Sequence, residues 1–376
     1  MRIIISFILA MLFTVSSSGA IAYAGEWNPK IEWHLKISGK PSSEIQIGPN
    51  GLFYVPSGNK ITVFDEKGRK LQEITGNSGS GGAGAPVFDP QGSIFMPGKD
   101  MFQEIKLNGS LGWKFNIYAT GGSSQALLTP GPGRLLYLHA PSGLYAVDTV
   151  GRYRWMLYQW NLAGNVSTKT ETFKVIAAAG NERVVLSVVV RESGAAYLFA
   201  FDQDGELKWR FALGETKSAN LVFGPDGLLY MTVNPAKATA SNRGSLYAFD
   251  IDGNGKPLWS YKFQGDVLSA PTPTKHNQIY FMAGDVLYAL NQTTGKEIWS
   301  NDLPKSNARP AVDDSSKRVY VGGVKNQLIA LRPDSRVDWW LELNGKVSTP
   351  PLLAPDGYMY VVTDSGDVYK IKDRPN

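Results

Sequence analysis

Short stretches in which apolar and polar residues alternate follow one another from about residue 30 to the end of the chain, each cut off by Gly, Pro, Asn or Asp. Period-two alternation with such punctuation predicts β-strands joined by tight turns. The stretches also repeat. GPDGLLYMT, starting at Gly224, returns as GPNGLFYVP from Gly48, DPQGSIFMP from Asp89 and APDGYMYVV from Ala354, with looser copies GPGRLLYLH, GNERVVLSV, KHNQIYFMA and SSKRVYVGG. A second signal follows each copy, clearest in LYALNQTTGKEIWS from Leu287, and the two alternate eight times. Self-similarity with a period of roughly 40 residues is the signature of a propeller or a solenoid.

Each unit reads as four short strands. An apolar strand leads into a Pro-Asp-Gly type turn, in which Pro presets φ and Gly supplies positive φ. Two alternating strands, a Gly-containing turn and a last strand carrying tryptophan complete the unit. Trp113, Trp155, Trp209, Trp259 and Trp299 each stand four residues after a glycine, Trp339 keeps the place after Ser335, and the first unit has Gln72 instead. One tryptophan per unit at a fixed turn offset predicts packing between neighbouring blades, with Gln72 marking the weakest joint. The last unit stops after its third strand, whereas residues 30–37, KIEWHLKI, form an orphan fourth strand carrying Trp33. The two halves are expected to complete one blade, so that no sheet edge at the seam is left unpaired. An open solenoid would need no such complementary ends. The expected fold is therefore all-β: an eight-bladed β-propeller of four-stranded antiparallel blades, a single domain over residues 25–376, closed by pairing the N-terminal strand with the last blade.

ALNQTTGKEIW, from Ala289 to Trp299, follows the pattern A-x-D-x-x-T-G-x-x-x-W, with looser copies in most other units. On these residues the chain resembles the pyrroloquinoline-quinone-type (PQQ-like) repeat propellers over nearly all of its length after residue 24. The resemblance implies the fold. It does not imply a chemistry, because that family includes both quinone-dependent dehydrogenases and non-catalytic propellers such as the lipoprotein of the outer-membrane assembly machinery.

The N-terminus changes the expected location. One basic residue, Arg2, an apolar run from Ile3 to about Val15 and the small-x-small Ala22-Tyr23-Ala24 are laid out as a secretory signal, with cleavage expected after Ala24. The apolar run is short of the roughly 20 residues needed to cross a bilayer. The chain has no cysteine, so no disulfide can form and no lipid can be attached through cysteine. A net charge of +5 with scattered Lys and Arg gives no block suited to nucleic acid. These features predict a secreted or envelope-associated monomer that binds a protein or an envelope polymer.

In four-stranded blades, links between strands one and two and between strands three and four open on one face of the disc. The other links open on the opposite face. The first face receives tight turns, while the long links, 76–85, 157–172 and 234–244, all fall on the second. Irregular links on a rigid scaffold are where recognition usually resides. At the channel mouth of that face the residues before each innermost strand are expected to be Glu44, Gln125, Glu171, Asn220, Ser269, Arg309 and Thr349, with Tyr118 and Trp160 as surplus aromatics on its links.

Catalytic groups are not visible. The quinone-dependent enzymes of the resembled family hold their cofactor under a ring of two adjacent cysteines and over a tryptophan floor, with calcium; this chain has no cysteine, and Glu44 and Glu171 are too few and too far apart for a calcium site. His34, His139 and His276 lack metal-ligand spacing. No catalytic, cofactor-binding or metal-binding residue is assigned, and no cofactor is expected. Gly79 to Gly84 fits G-x-G-x-x-G, but a blade strand follows it instead of the helix that a dinucleotide turn must open. The leading expectation is a non-catalytic protein-interaction or scaffold module. A PQQ-dependent dehydrogenase and a carbohydrate- or wall-binding propeller are the alternatives.

Overall fold

In a computed structural model of the chain, the described residues are 22–23, 29–75, 86–89, 92–98, 101–116, 127–131, 134–140, 143–158, 173–180, 183–190, 195–239, 243–323 and 325–373. The expected leader and its cleavage site lie outside them, apart from Ala22 and Tyr23, whose backbone pairs with Leu341 and Trp340. The chain is a β-propeller of antiparallel sheets arranged in sequence order, most of them four-stranded.

The described strands form seven blades, not the eight expected. Sheets one to three run from Gln46–Ile47 to Lys70–Thr75, from Val87–Phe88 to Leu111–Asn116 and from Leu127–Pro130 to Tyr153–Tyr158. The fourth and fifth sequence units then share a single seven-stranded sheet, from Phe173–Gly180 to Pro257–Phe263. Its central strand, Leu207–Phe223, spans 17 residues. The first half of that strand pairs back onto Ala195–Asp202 and the second half pairs forward onto Leu229–Pro235. Pro271, Pro310 and Pro350 interrupt the corresponding links of later units, where a missing N–H ends the ladder, whereas the stretch from Leu207 to Phe223 has no proline and stays paired past an irregularity at Gly214, whose φ is 76°.

Sheets five and six run from Thr272–Pro273 to Glu297–Asp302 and from Ala311–Asp313 to Val337–Glu342. The seventh takes Leu352–Leu353, Met359–Val362 and Asp367–Lys372 from the end of the chain and Lys30–Lys36 from its beginning. Lys36 stands opposite Asp367, and Lys30 opposite Lys372. The core lies between the faces of neighbouring sheets. Ile61, Val63 and Ile74 of the first pack on Ile94, Met96 and Ile105 of the second, and Tyr360, Val362 and Val368 of the last pack on Phe53, Val55 and Phe64 of the first.

The repeated tryptophans bridge these joints. The indole N–H donates to a carbonyl of the following turn: Trp33 to Glu66 at 2.9 Å, Trp209 to Ile251 at 2.9 Å, Trp259 to Gln292 at 3.0 Å, Trp299 to Pro333 at 3.1 Å, and Trp155 to Gln203. The turn glycine lies flat on the ring. A Cβ on Gly68 would come within 2.8 Å of Trp33, and one on Gly295 within 2.5 Å of Trp259; both glycines also have positive φ, so two constraints select glycine there. Across the sheet, Trp155, Trp209, Trp259, Trp299 and Trp339 each stand opposite an alanine (Ala146, Ala200, Ala248, Ala289, Ala330), which leaves room for the indole.

In the first sheet the corresponding pair is Gln72 opposite Val63, and the Gln72 amide reaches only as far as the Asn108 carbonyl, at 3.5 Å. We expect Gln72→Trp combined with Val63→Ala to raise the melting temperature, because the indole would fill the joint while the smaller partner removes the clash. Gln72→Trp alone is expected to leave it unchanged or slightly higher. A clear fall for the double variant in a thermal melt would show that this joint is built differently from the others.

Candidate binding face and channel mouth

The innermost strands are short, and the segments leading into them carry serines, threonines and prolines, which cannot extend the ladder inward and instead border the central channel. Glu44, Ser269, Arg309 and Thr349 come together around one cavity of about 510 Å³, bordered also by Ser42, Ser43, Gln46, Ala270, Asn307, Ala308, Ser348 and Pro350. Four of the residues expected at the mouth are thus neighbours in space. Asn220 is not among them. It lies within the long strand Leu207–Phe223, opposite Thr232, and its amide reaches the Thr232 hydroxyl at 3.4 Å and the Val267 carbonyl at 3.5 Å. Tyr118, Gln125, Trp160 and Glu171 lie outside the described residues, as do the glycines of 79–84.

Arg309 and Glu44 form an ion pair at 3.5 Å between the sixth and first sheets, passing over the segment of the seventh. Both remain partly exposed, so the pair contributes at most about 1 kcal/mol to stability. Its interest is positional. Glu44, Arg309 and Pro350 also border a second cavity of about 300 Å³, whose other walls include Val222, Phe223, Pro273, Val312, Leu352 and Leu353. The repeat by itself singles out only the rim residue of each segment. The apolar wall comes from residues two to four positions further along, visible in NLVF, RPAVD and TPPLL once the rim is fixed.

On the same face, Lys217 pairs with Asp266 at 2.6 Å, and the link from Pro235 to Gly244 is anchored by Asn234, which donates to the Val267 carbonyl at 2.7 Å and accepts from the Val267 N–H at 2.9 Å. Leu268, at the rim beside Ser269, is 46% exposed. The opposite face is made of closed turns: Gly51 N–H to Gly48 at 2.9 Å, Gly92 to Asp89 at 2.9 Å, Gly227 to Gly224 at 3.0 Å and Gly357 to Ala354 at 3.0 Å. In these turns an Asn or Asp four residues before a tyrosine holds the tyrosine hydroxyl, as in Asn50–Tyr54, Asp226–Tyr230 and Asp356–Tyr360. Burial first, and then the Asp226 carboxylate, push the Tyr230 hydroxyl up, so it remains a donor. Sequence reasoning missed this D/N-x-x-x-Y repeat, although it is present in GPNGLFY, GPDGLLY and APDGYMY.

Among the described residues, no group of three His, Asp or Glu side chains is placed to hold a metal. His34 accompanies Asp367, and His276 accompanies Asp314 and Tyr280.

These features define a β-propeller whose repeats are similar to those of the PQQ-like propellers. Within that class the chain is similar to the outer membrane protein assembly factor BamB: the family profile of that description matches residues 194–302 and 282–374. BamB of Nitrosomonas eutropha is 32% identical over 157 residues, which are 38% of this chain and 35% of that protein, so the match spans about a third of the relative. Among solved structures, BamB from Moraxella catarrhalis superposes with a TM-score of 0.64 at 14% identity, covering 92% of this chain and 100% of that one. The Dos1 propeller gives 0.73 at 12% identity, covering 92% and 98%. The computationally designed Ika8 protein gives 0.64 at 14%, covering 90% and 97%. At these identities the structural likeness speaks for the fold alone.

Proposed function

We propose that this protein is a non-catalytic interaction module of the cell envelope, exported by its N-terminal leader, that engages a protein partner through the face bearing the channel mouth. The observation that carries this reading is the asymmetry of the disc. Among the described residues, one face carries hydrogen-bonded turns, while the other presents the channel mouth, Leu268 and the segment that follows Pro235. An exposed leucine beside charged groups on a rigid scaffold is the kind of surface on which protein hot spots form. The name of its similar relative, an outer membrane protein assembly factor, supports both the envelope location and a protein partner. No cofactor forms part of this reading.

Capture from the native envelope tests it. Wild-type protein and an Ile298→Lys control, which alters an exposed residue on an outermost strand, are expected to recover the same partner. A variant combining Leu268→Lys, Trp160→Ala and a two-glycine bridge in place of 236–243 is expected to lose it. Asn234 is retained so that Val267 stays anchored. Equal recovery by all three proteins would move the binding surface elsewhere.

A further inference from the structure

The channel has two adjoining compartments that meet at one ion pair. The outer is bordered by Ser42, Ser43, Gln46, Asn307 and Thr349 together with Ala270 and Ala308, and the inner includes the side chains of Val222, Phe223, Val312, Leu352 and Leu353. Glu44 and Arg309 belong to both. We infer that the channel mouth is a binding site for a small anionic amphiphile, with a carboxylate head held at Arg309 and a short alkyl chain in the inner compartment. This inference goes beyond the protein-partner reading and does not depend on it.

Three observations carry it. First, the inner compartment has apolar walls although it opens toward solvent. Val222, Phe223, Val312, Leu352 and Leu353 each pack on an inter-sheet cluster yet stay only partly buried, and covering the part left open with something apolar gains free energy. Second, among the described residues Arg309 is the only cationic one lining either compartment, and its present partner, Glu44, is a rim carboxylate at 3.5 Å that a ligand carboxylate can replace with a closer, two-pronged contact. Third, Ser43 and Thr349 line the outer compartment, and their hydroxyl oxygens have no hydrogen-bond partner among the described residues; Thr349 is more than nine-tenths buried. Hydroxyl donors without partners beside an arginine suit a carboxylate. Both compartments lie within the size range of small-molecule sites, roughly 300 to 1,000 Å³.

Calorimetric titration of the full chain with octanoate, below its micelle threshold, tests the assignment. Acetate supplies the head without the tail, and 1-octanol the tail without the head. Octanoate is expected to bind with one-to-one stoichiometry, at least about tenfold tighter than either comparator. Arg309→Gln is expected to weaken octanoate by at least about tenfold without moving the melting temperature, because the rim pair adds little stability. Glu44→Gln is expected to tighten it by removing the competing carboxylate, and Leu353→Glu to weaken octanoate while leaving acetate unchanged. Absence of octanoate binding, equal affinity in wild type and Arg309→Gln, or acetate as tight as octanoate would overturn the proposal.

Discussion

Arg318→Met is expected to destabilise the ring by about 3–5 kcal/mol, read as a lower urea midpoint, because it removes one partner of a buried ion pair. Arg318 is 2% exposed, and its guanidinium lies between Asp338, which is fully buried, and Asp373, whose two carboxylate oxygens it meets at 3.0 Å each. Arg332 also pairs with Asp338, at 2.7 Å. Methionine would fill much of the volume but leave the Asp338 charge with one partner in place of two. In five other joints the indole N–H finds a backbone carbonyl in the next turn, whereas at this joint a side chain stands in that place. The Asp373 side chain takes that role, accepting from Trp339 at 2.6 Å and from Tyr320 at 2.9 Å. A carboxylate in place of a neutral carbonyl needs a counter-charge, and Arg318 supplies it. The double variant Arg318→Met, Asp338→Leu is expected to recover only part of the loss, since it leaves no orphaned charge at Asp338 but Asp373 still lacks its counter-charge and Arg332 its partner. A single variant as stable as wild type would show that the cluster adds nothing to the joint.

This cluster also marks the boundary of what the sequence discloses. Strand alternation, turns and one tryptophan per unit are local patterns, and local patterns can be read from a single chain. The orphan strand at residues 30–37 could be read because a missing half at one end matched an extra half at the other. The number of sheets could not be obtained by counting units. It depends on whether the chain breaks between an outermost strand and the next innermost one, and the stretch from Leu207 to Phe223 lacks the prolines that make that break at Pro271, Pro310 and Pro350. At the channel mouth the positions of Glu44, Ser269, Arg309 and Thr349 followed from their place in each unit, while the pairing of Arg309 with Glu44 joins residues far apart in the chain and has no local signal. Asn220 was misplaced for the same reason as the blade count: the unbroken strand carries it into a ladder instead of onto a rim.

Deleting residues 30–37 is expected to have the largest effect of any change considered, with a loss on the order of 5 kcal/mol or more from burial alone. Ile31, Trp33, Leu35 and Ile37 all pack into the clusters at the seam. Their removal would strip Gly68 of the indole it rests on and open the strand Asp367–Lys372 as a bare edge, which invites association. Size-exclusion chromatography should show a shift toward larger species than wild type forms, and a peptide covering residues 29–38 added in trans should reverse it. A deletion variant that elutes and melts like the wild type would refute closure by this strand. The same seam carries an acid-sensitive contact. Burial alone would raise the Asp367 carboxyl, but hydrogen bonds from Lys36, Ser365 and His34 hold it below the usual carboxylate range. A carboxyl held low in the folded state stabilises it above the unfolded value, about 3.9, and that contribution disappears as pH falls through the folded value. Wild type should therefore lose more melting temperature between pH 7 and pH 3 than Asp367→Asn, which starts lower because Lys36 has lost its counter-charge. Parallel pH profiles for the two proteins would show that the Asp367 charge plays no part in holding the ring shut.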